Sequence, residues 1–161
     1  MSDPIQVIRA PMRLTYNVTA GASLSRFLDA LALGRIVGCR CLQCQKVCVP
    51  PRPVCPTCCV LADEEVAVSD AGTVTTYCIV NVPFEGQTVP IPYVYANIVL
   101  DGADLPLLHV VDVPVTAATM GLRVRAAWLP PGERGPTLAS IRCFLPTGEP
   151  NAPFESYKDH L

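Results

Sequence analysis

Charge is scarce in this chain, and neither sign predominates. Only 16% of its 161 residues are Asp, Glu, Lys or Arg, with 12 basic against 14 acidic for a formal net of −2. A domain that grips a nucleic-acid backbone normally carries a basic stripe and an isoelectric point above about 9, and no such run exists here. Long apolar runs are missing too: none approaches the roughly 18 residues that cross a bilayer. The opening "MSDPIQVIRAPMRL" lacks the charged-then-apolar order of a secretion signal. The expectation is therefore a soluble cytoplasmic protein without a membrane partner. Histidine occurs only at His109 and His160. No nucleophile, base and orienting group stand together as an active site would require, so no catalytic residue is expected.

Half of the residues are apolar and 17 are proline, which describes a compact, loop-rich globule of about one domain. Residues 1–22 show no sustained period and read as an extended leader. In "SLSRFLDALALG", Leu24, Phe27, Leu28 and Leu31 recur at i, i+3, i+4 and i+7, the one-face pattern of an amphipathic helix over 23–34. Ser23 is placed to cap its start, and Gly34 stands where a helix commonly ends. From Gly72 onward the chain is rich in Val, Ile, Thr and Tyr, broken by Pro, Gly and Asp. Five strands are expected, at 73–82, 93–100, 105–113, 122–129 and 138–145. Five short strands without a long intervening helix suggest a five-stranded OB barrel over 69–147, with a small sandwich as the other solution. A tail over 148–161 is expected to hug the surface or move freely.

Seven of the nine cysteines fall between Cys39 and Cys59. In a reducing compartment, clustered thiols point to metal ligation. Two C-x-x-C pairs exist, Cys41 with Cys44 and Cys55 with Cys58. Each makes a tight turn that can aim two sulfurs at one ion, and two such knuckles complete a closed tetrahedral site for one structural zinc. Four thiolates also suit iron, and spacing does not separate the two metals. Pro50, Pro51 and Pro53 stiffen the short linker of this ribbon, which is expected over 35–68. Cys59 could replace Cys58, but only through a looser C-x-x-x-C turn. Cys39, Cys48 and Cys59 are left over, as spare packing thiols or as reactive ones activated by neighbours such as Arg40 and Lys46. Cys78 and Cys143 lie within expected strands and read as buried packing residues.

The order of helix, knuckles and barrel is similar to that of zinc-ribbon OB-fold proteins of the DUF35 family. The likeness rests on "RFLDALALGRIVGCRC", "VPPRPVCPTC", "AGTVTTYCIV", "PYVYANIVLDGADLPLLHVV" and "GLRVRAAW", and covers roughly residues 23–147. It departs at Gln45 and Cys59, which follow the two knuckles where the family often has glycine. The resemblance implies a mainly β chain with an N-terminal helix, a rubredoxin-like zinc ribbon and an OB barrel. It further implies a non-catalytic accessory subunit of a thiolase-like or sterol-carrier-type thiolase or aldolase acting on acyl-CoA thioesters, in steroid or lipid degradation.

Were this chain to touch the phosphates of CoA, Arg40, Lys46 and Arg52 on the ribbon are the candidates; otherwise they are solvated charges. Leu24, Phe27, Leu28, Tyr93 and Tyr95 are the candidate partner interface, unless the helical stripe packs on the chain's own barrel. The alternative function is a nucleic-acid-binding ribbon and barrel, since OB folds take single strands in basic grooves. Between 72 and 145, however, Arg123, Arg125, Arg134 and Arg142 are offset by Glu85, Asp101, Asp104, Asp112 and Glu133.

Overall fold

The structure, a computed structural model, describes residue 10 and residues 14–161. Most of the expected leader lies outside the described residues; from it, 14–20 form no helix or strand. Helix α1 runs from Gly21 to Ala32. It starts two residues before Ser23, and its N-cap, Ala20, makes no side-chain capping bond. Ser23 is therefore no cap. Ala22 is a strong helix former, and nothing stops the helix from extending upstream of the serine.

The other end is closed as expected. Gly34, at φ +72°, donates to the Leu31 carbonyl, and Arg35 donates to that of Ala30, both at 3.0 Å. These two bonds satisfy carbonyls that the last helical turn leaves open. A Cβ on Gly34 would stand 2.1 Å from Nη1 of Arg134. That guanidinium stacks on Trp128 at 5.5 Å and donates through Nε to the Leu129 carbonyl at 2.6 Å, fastening the helix end to the barrel.

Three short strands follow: β1 (Ile36–Arg40), β2 (Val47–Cys48) and β3 (Glu64–Val68), in the antiparallel order β2-β1-β3. Then β4 (Ala71–Val80), β5 (Tyr93–Leu100), β6 (Leu107–Val111), β7 (Arg123–Trp128) and β8 (Ile141–Pro146) close a barrel in the order β4-β5-β6-β8-β7. All its pairings are antiparallel except β6 with β8, which meet in parallel at Val111 and Phe144. The strand expected from 138 starts at Ile141. Leu138–Ser140 instead make a 3-10 turn, whose Ala139 N–H bonds to the Thr137 side chain.

Along β5, half-buried and buried residues alternate strictly, the mark of one face turned to the core. Phe27, Ala30 and Leu31 of α1, Ile36 and Val37 of β1, Val47 of β2, Val49 and the barrel interior form one hydrophobic core, with Leu24 and Leu28 packed against it. The helical stripe therefore meets its own chain. Phe27, 1% exposed, is removed from the candidate partner interface, because its ring fills this core.

Cys143 is buried as expected, but Cys78 is exposed. The reason is the β-bulge between Val74 and Thr76: beyond it Tyr77 and Ile79 pair with the buried Ala96 and Val94, while Cys78 pairs with Tyr95 on the outward face of β5. The tail hugs the surface. Ala152 donates to the Gly121 carbonyl at 2.8 Å, Tyr157 is buried, and Nδ1 of His160 donates to the Asp104 carbonyl at 2.9 Å. Among the described residues, no helix is long and apolar enough to cross a membrane.

Candidate metal centre

The two knuckles are built alike. Gln45 donates to the Cys41 carbonyl at 2.8 Å and Cys59 to that of Cys55 at 3.0 Å, while Cys41 donates to Lys46 at 2.9 Å and Cys55 to Val60 at 2.8 Å. Each turn ends in a left-handed residue, Gln45 at φ +63° and Cys59 at φ +55°. Glycine adopts this conformation without steric cost. Both turns hold nonetheless; Gln45 adds a bond from Nε2 to the Leu42 carbonyl at 2.9 Å.

The turns bring Sγ of Cys41, Cys44, Cys55 and Cys58 within 4.8 Å of one another. Four sulfurs around a tetrahedral ion with Zn–S near 2.3 Å stand about 3.8 Å apart, so the cluster needs little adjustment to close on one. Cys41 and Cys55 are buried, Cys44 and Cys58 half-buried. Backbone N–H groups point at the sulfurs: Cys44 at Cys41 Sγ (3.5 Å), and Thr57 and Cys58 at Cys55 Sγ (both 3.4 Å). Donors of this kind stabilise thiolates and orient ligands.

The N–H of Cys58 is the main cause that lowers the Cys55 thiol to about 6, while hydrogen bonding with Cys44 raises Cys58 to about 12. Four neighbouring thiolates repel one another, so a divalent cation is what lets them share the site. The donor set is all sulfur, which fits zinc and leaves no coordination position for water.

The remaining thiols separate by burial. Cys39 and Cys48 pair across β1 and β2 and pack with Cys41, Cys55 and Ala62 in a small second core. Sγ of Cys39 accepts from the Arg52 N–H and donates to the Arg52 carbonyl, both at 3.1 Å. Burial, and next the neighbouring Cys39, push the Cys48 thiol up to about 11. These are packing thiols; Cys59 alone of the three is exposed.

The ribbon cations do not converge on a common partner. Arg40 pairs with Glu64 at 3.2 Å, Lys46 donates to the Thr57 hydroxyl at 3.4 Å, and the Arg52 side chain is exposed. Tyr93 and Tyr95 are half-buried on β5, edge to face with centroids 6.4 Å apart. His109 is a packed strand residue, 5.5 Å from the Phe144 ring, and burial lowers its pKa.

Sequence reasoning missed an apolar surface beside the metal: Leu42, Val54 and Leu61 are 68%, 45% and 74% exposed. For Leu42 a signal was available. The sulfurs of a C-x-x-C turn occupy its inside, so the residues between them face out.

Residues 28–60 match the family described as "ChsH2, rubredoxin-like zinc ribbon domain", and residues 65–129 match "ChsH2, C-terminal OB-fold domain". A relative from Methanocaldococcus jannaschii, a DUF35 domain-containing scaffold protein, is 32% identical over 94 residues, which are 58% of this chain and 67% of that one. The fold resembles a chain of the Ltp2-ChsH2(DUF35) aldolase, with a TM-score of 0.59, 22% identity, and coverage of 83% of this chain and 98% of that chain. It also resembles a DUF35 protein of unknown function from Sulfolobus solfataricus, with a TM-score of 0.55, 24% identity, and coverage of 66% and 78%. At these identities the two structures speak for the architecture alone. Matches to the ribbon and to most of the barrel, together with a relative covered over two thirds of its length, make this chain a member of the DUF35 family.

Proposed function

We propose that this chain is a non-catalytic accessory subunit that docks on a thiolase-fold enzyme, a thiolase or a retro-aldolase, acting on acyl-CoA thioesters in the cytoplasm, in steroid or lipid degradation. The observation that carries the reading is the closed metal centre. Four cysteine sulfurs converge on one point, so the residues that look most like an active site hold an ion without offering it to substrate. Bound zinc would supply the positive charge that keeps four thiolates together; Cys41, Cys44, Cys55 and Cys58 would in turn hold the two knuckles at a fixed spacing. The scaffold naming of the archaeal relative and the aldolase complex that contains the resembling chain support a partnered role.

Two surfaces are assigned to docking: the half-exposed Tyr93 and Tyr95 on the barrel, and Leu42, Val54 and Leu61 at the metal end of the ribbon. Leu24 and Leu28 contribute only their exposed edges. Tyrosines are frequent anchors of interfaces, and the exposed ribbon residues supply apolar area around the metal. For contact with CoA, Arg52 is the strongest of the three candidates, because Arg40 and Lys46 already have partners. The nucleic-acid alternative is disfavoured by the barrel's own ion pairs: Arg123 is held by Asp101 at 2.6 Å and by Glu149 at 3.3 Å, and Arg125 faces Asp70 at 4.0 Å.

The test is co-expression with a thiolase-fold enzyme. The expected result is a stable complex that turns over a CoA thioester while the isolated chain turns over nothing. Activity of this chain alone, or full activity and stability of the enzyme without it, would overturn the reading. Arg52→Glu should weaken thioester binding by the complex without dissociating it, and unchanged affinity would remove the CoA contact.

A further inference from the structure

Two halves of an unmade strand pairing lie in this chain. One is the segment Leu14-Thr15-Tyr16-Asn17-Val18-Thr19. Its apolar residues alternate, as in a strand with one face covered, yet Leu14, Tyr16 and Val18 are 80%, 75% and 76% exposed. No backbone hydrogen bond joins residues 14–19 to any other described residue. Threonine, valine and tyrosine favour extended backbone.

The other half is the far edge of β4. From Thr76 to Val80 this strand pairs with β5 alone, and no further backbone bond among the described residues reaches that stretch. Tyr77 and Ile79 are each 39% exposed there, and Val82 beyond them is 74% exposed. Natural sheets blunt such edges with charge or proline. Neither occurs from Ala71 to Val82.

We propose that residues 14–19 form an exchange arm that adds as a strand to the Thr76–Val80 edge of a second copy of this chain, the two copies swapping arms about a two-fold axis. Both pieces are free of charge. The arm carries no charge from Leu14 to Ser25, and the edge carries none from Ala71 to Phe84, so the pairing buries no unpaired ion. The apolar faces also match: Leu14, Tyr16 and Val18 lie on one side of the arm, and Tyr77 and Ile79 on one side of the edge.

Area supports reciprocity. Two seated arms would cover roughly 1,500 Å² in total, within the range of stable interfaces, whereas one would fall short of it. Among the described residues none of the arm's own chain covers it, and α1 anchors its far end on the shared core. Reciprocal exchange uses up both edges and both arms, so assembly stops at two. The exchange arm lies beside Tyr93 and Tyr95 and leaves Leu42, Val54 and Leu61 at the metal end of the ribbon free for docking.

The experiment is sedimentation of the zinc-loaded full chain alone, combined with hydrogen exchange. A dimer of twice 17.3 kDa is expected, with protection of the amides facing outward between Thr76 and Val80 that rises with protein concentration. The double substitution Tyr16→Lys with Val18→Lys on the arm, and Ile79→Lys on the edge, should each give a monomer with zinc content and circular dichroism retained. Mixing the two variants should restore a weaker heterodimer through the one arm and one edge left intact. A monomer at 100-fold the concentration used for sedimentation would overturn the proposal, whether its edge is unprotected or covered by its own arm. So would a dimer indifferent to both variants, or an edge protected only by an added thiolase-like enzyme.

Discussion

The ribbon and the barrel bury different things. Under the ribbon the local core is Cys39, Cys41, Cys48, Cys55 and Ala62, side chains too small to remove much apolar area from water. Its strands are two to five residues long. The barrel buries Ile98, Leu100, Ile141 and Phe144, each at most 1% exposed, on strands of up to ten residues. At about 25 cal/mol per Å² of apolar surface, burial can hold the barrel together. The ribbon needs its ion. Yet the two are not separate bodies, because Ile36, Val37, Val47 and Val49 send their side chains into the large core rather than the small one. A region stabilised by a metal is thus pinned to a region stabilised by packing.

The sharpest way to break this comparison is to remove the ion. Cys41→Ser or Cys55→Ser, or a strong chelator, should abolish zinc binding and unfold residues 39–62, a loss on the order of 10 kcal/mol of binding-coupled folding energy. Amide exchange should show the ribbon opening while β4–β8 stay protected; uniform opening of both would mean that the barrel depends on the metal as well. Acid should act in the same direction. Hydrogen bonding with Cys44 holds the metal-free Cys58 thiol well above its ordinary range, so binding the ion displaces protons from the cluster, and a chromogenic chelator should find zinc released as pH falls.

Next in size is a cavity in the barrel. Phe144→Ala should cost about 3 to 5 kcal/mol and lower the melting temperature, with one zinc still bound. Loss of zinc at that site would show the two stabilising modes to be inseparable.

The junction gives an intermediate effect. Gly34→Ala forces a left-handed alanine, costing about 1 to 2 kcal/mol, and drives its Cβ into the Arg134 guanidinium. The melting temperature should fall and the Arg134–Trp128 stack should open, which tryptophan fluorescence can report.

The smallest effects are in the knuckle turns. Cys59→Gly relieves a left-handed side chain with no bond of its own, and should stabilise the zinc-loaded protein by about 0.5 kcal/mol, the relief being partly offset by a more flexible unfolded chain. Gln45→Gly relieves the same strain but gives up the bond to Leu42, so denaturation should find it near neutral. Equal gains at both sites would assign that bond no role.

What could be read from residues alone was local. The C-x-x-C spacing named Cys41, Cys44, Cys55 and Cys58, because two intervening residues suffice to turn two sulfurs toward one point whatever surrounds them. The 3.6-residue period named the apolar face of α1, and Gly34 its end, because both follow from backbone geometry within a few turns. The Val-, Ile- and Tyr-rich run "YVYANIVL", bounded by Pro92 and Asp101, located β5 to the residue.

What a face turns toward is a different kind of fact. Leu24, Phe27 and Leu28 would look the same in sequence whether they met a partner or the chain's own barrel, and only packing put Phe27 in the core. Cys78 and Cys143 both sit in strand-like text; a bulge between Val74 and Thr76 in the pairing with β5 turned Cys78 to the outward face, while Cys143 stayed inside. Ser23 resembled a cap until the helix extended past it. In each case the outcome depended on residues far away in the chain, and a short-range pattern carries the period of an element without the identity of its neighbour. The left-handed turns at Gln45 and Cys59 lie between the two classes: the resemblance to the family showed where glycine was missing, and the folded ribbon showed the chain adopting the turn regardless, because the sulfurs, the repeated backbone bonds and the packing beneath them over-determine it.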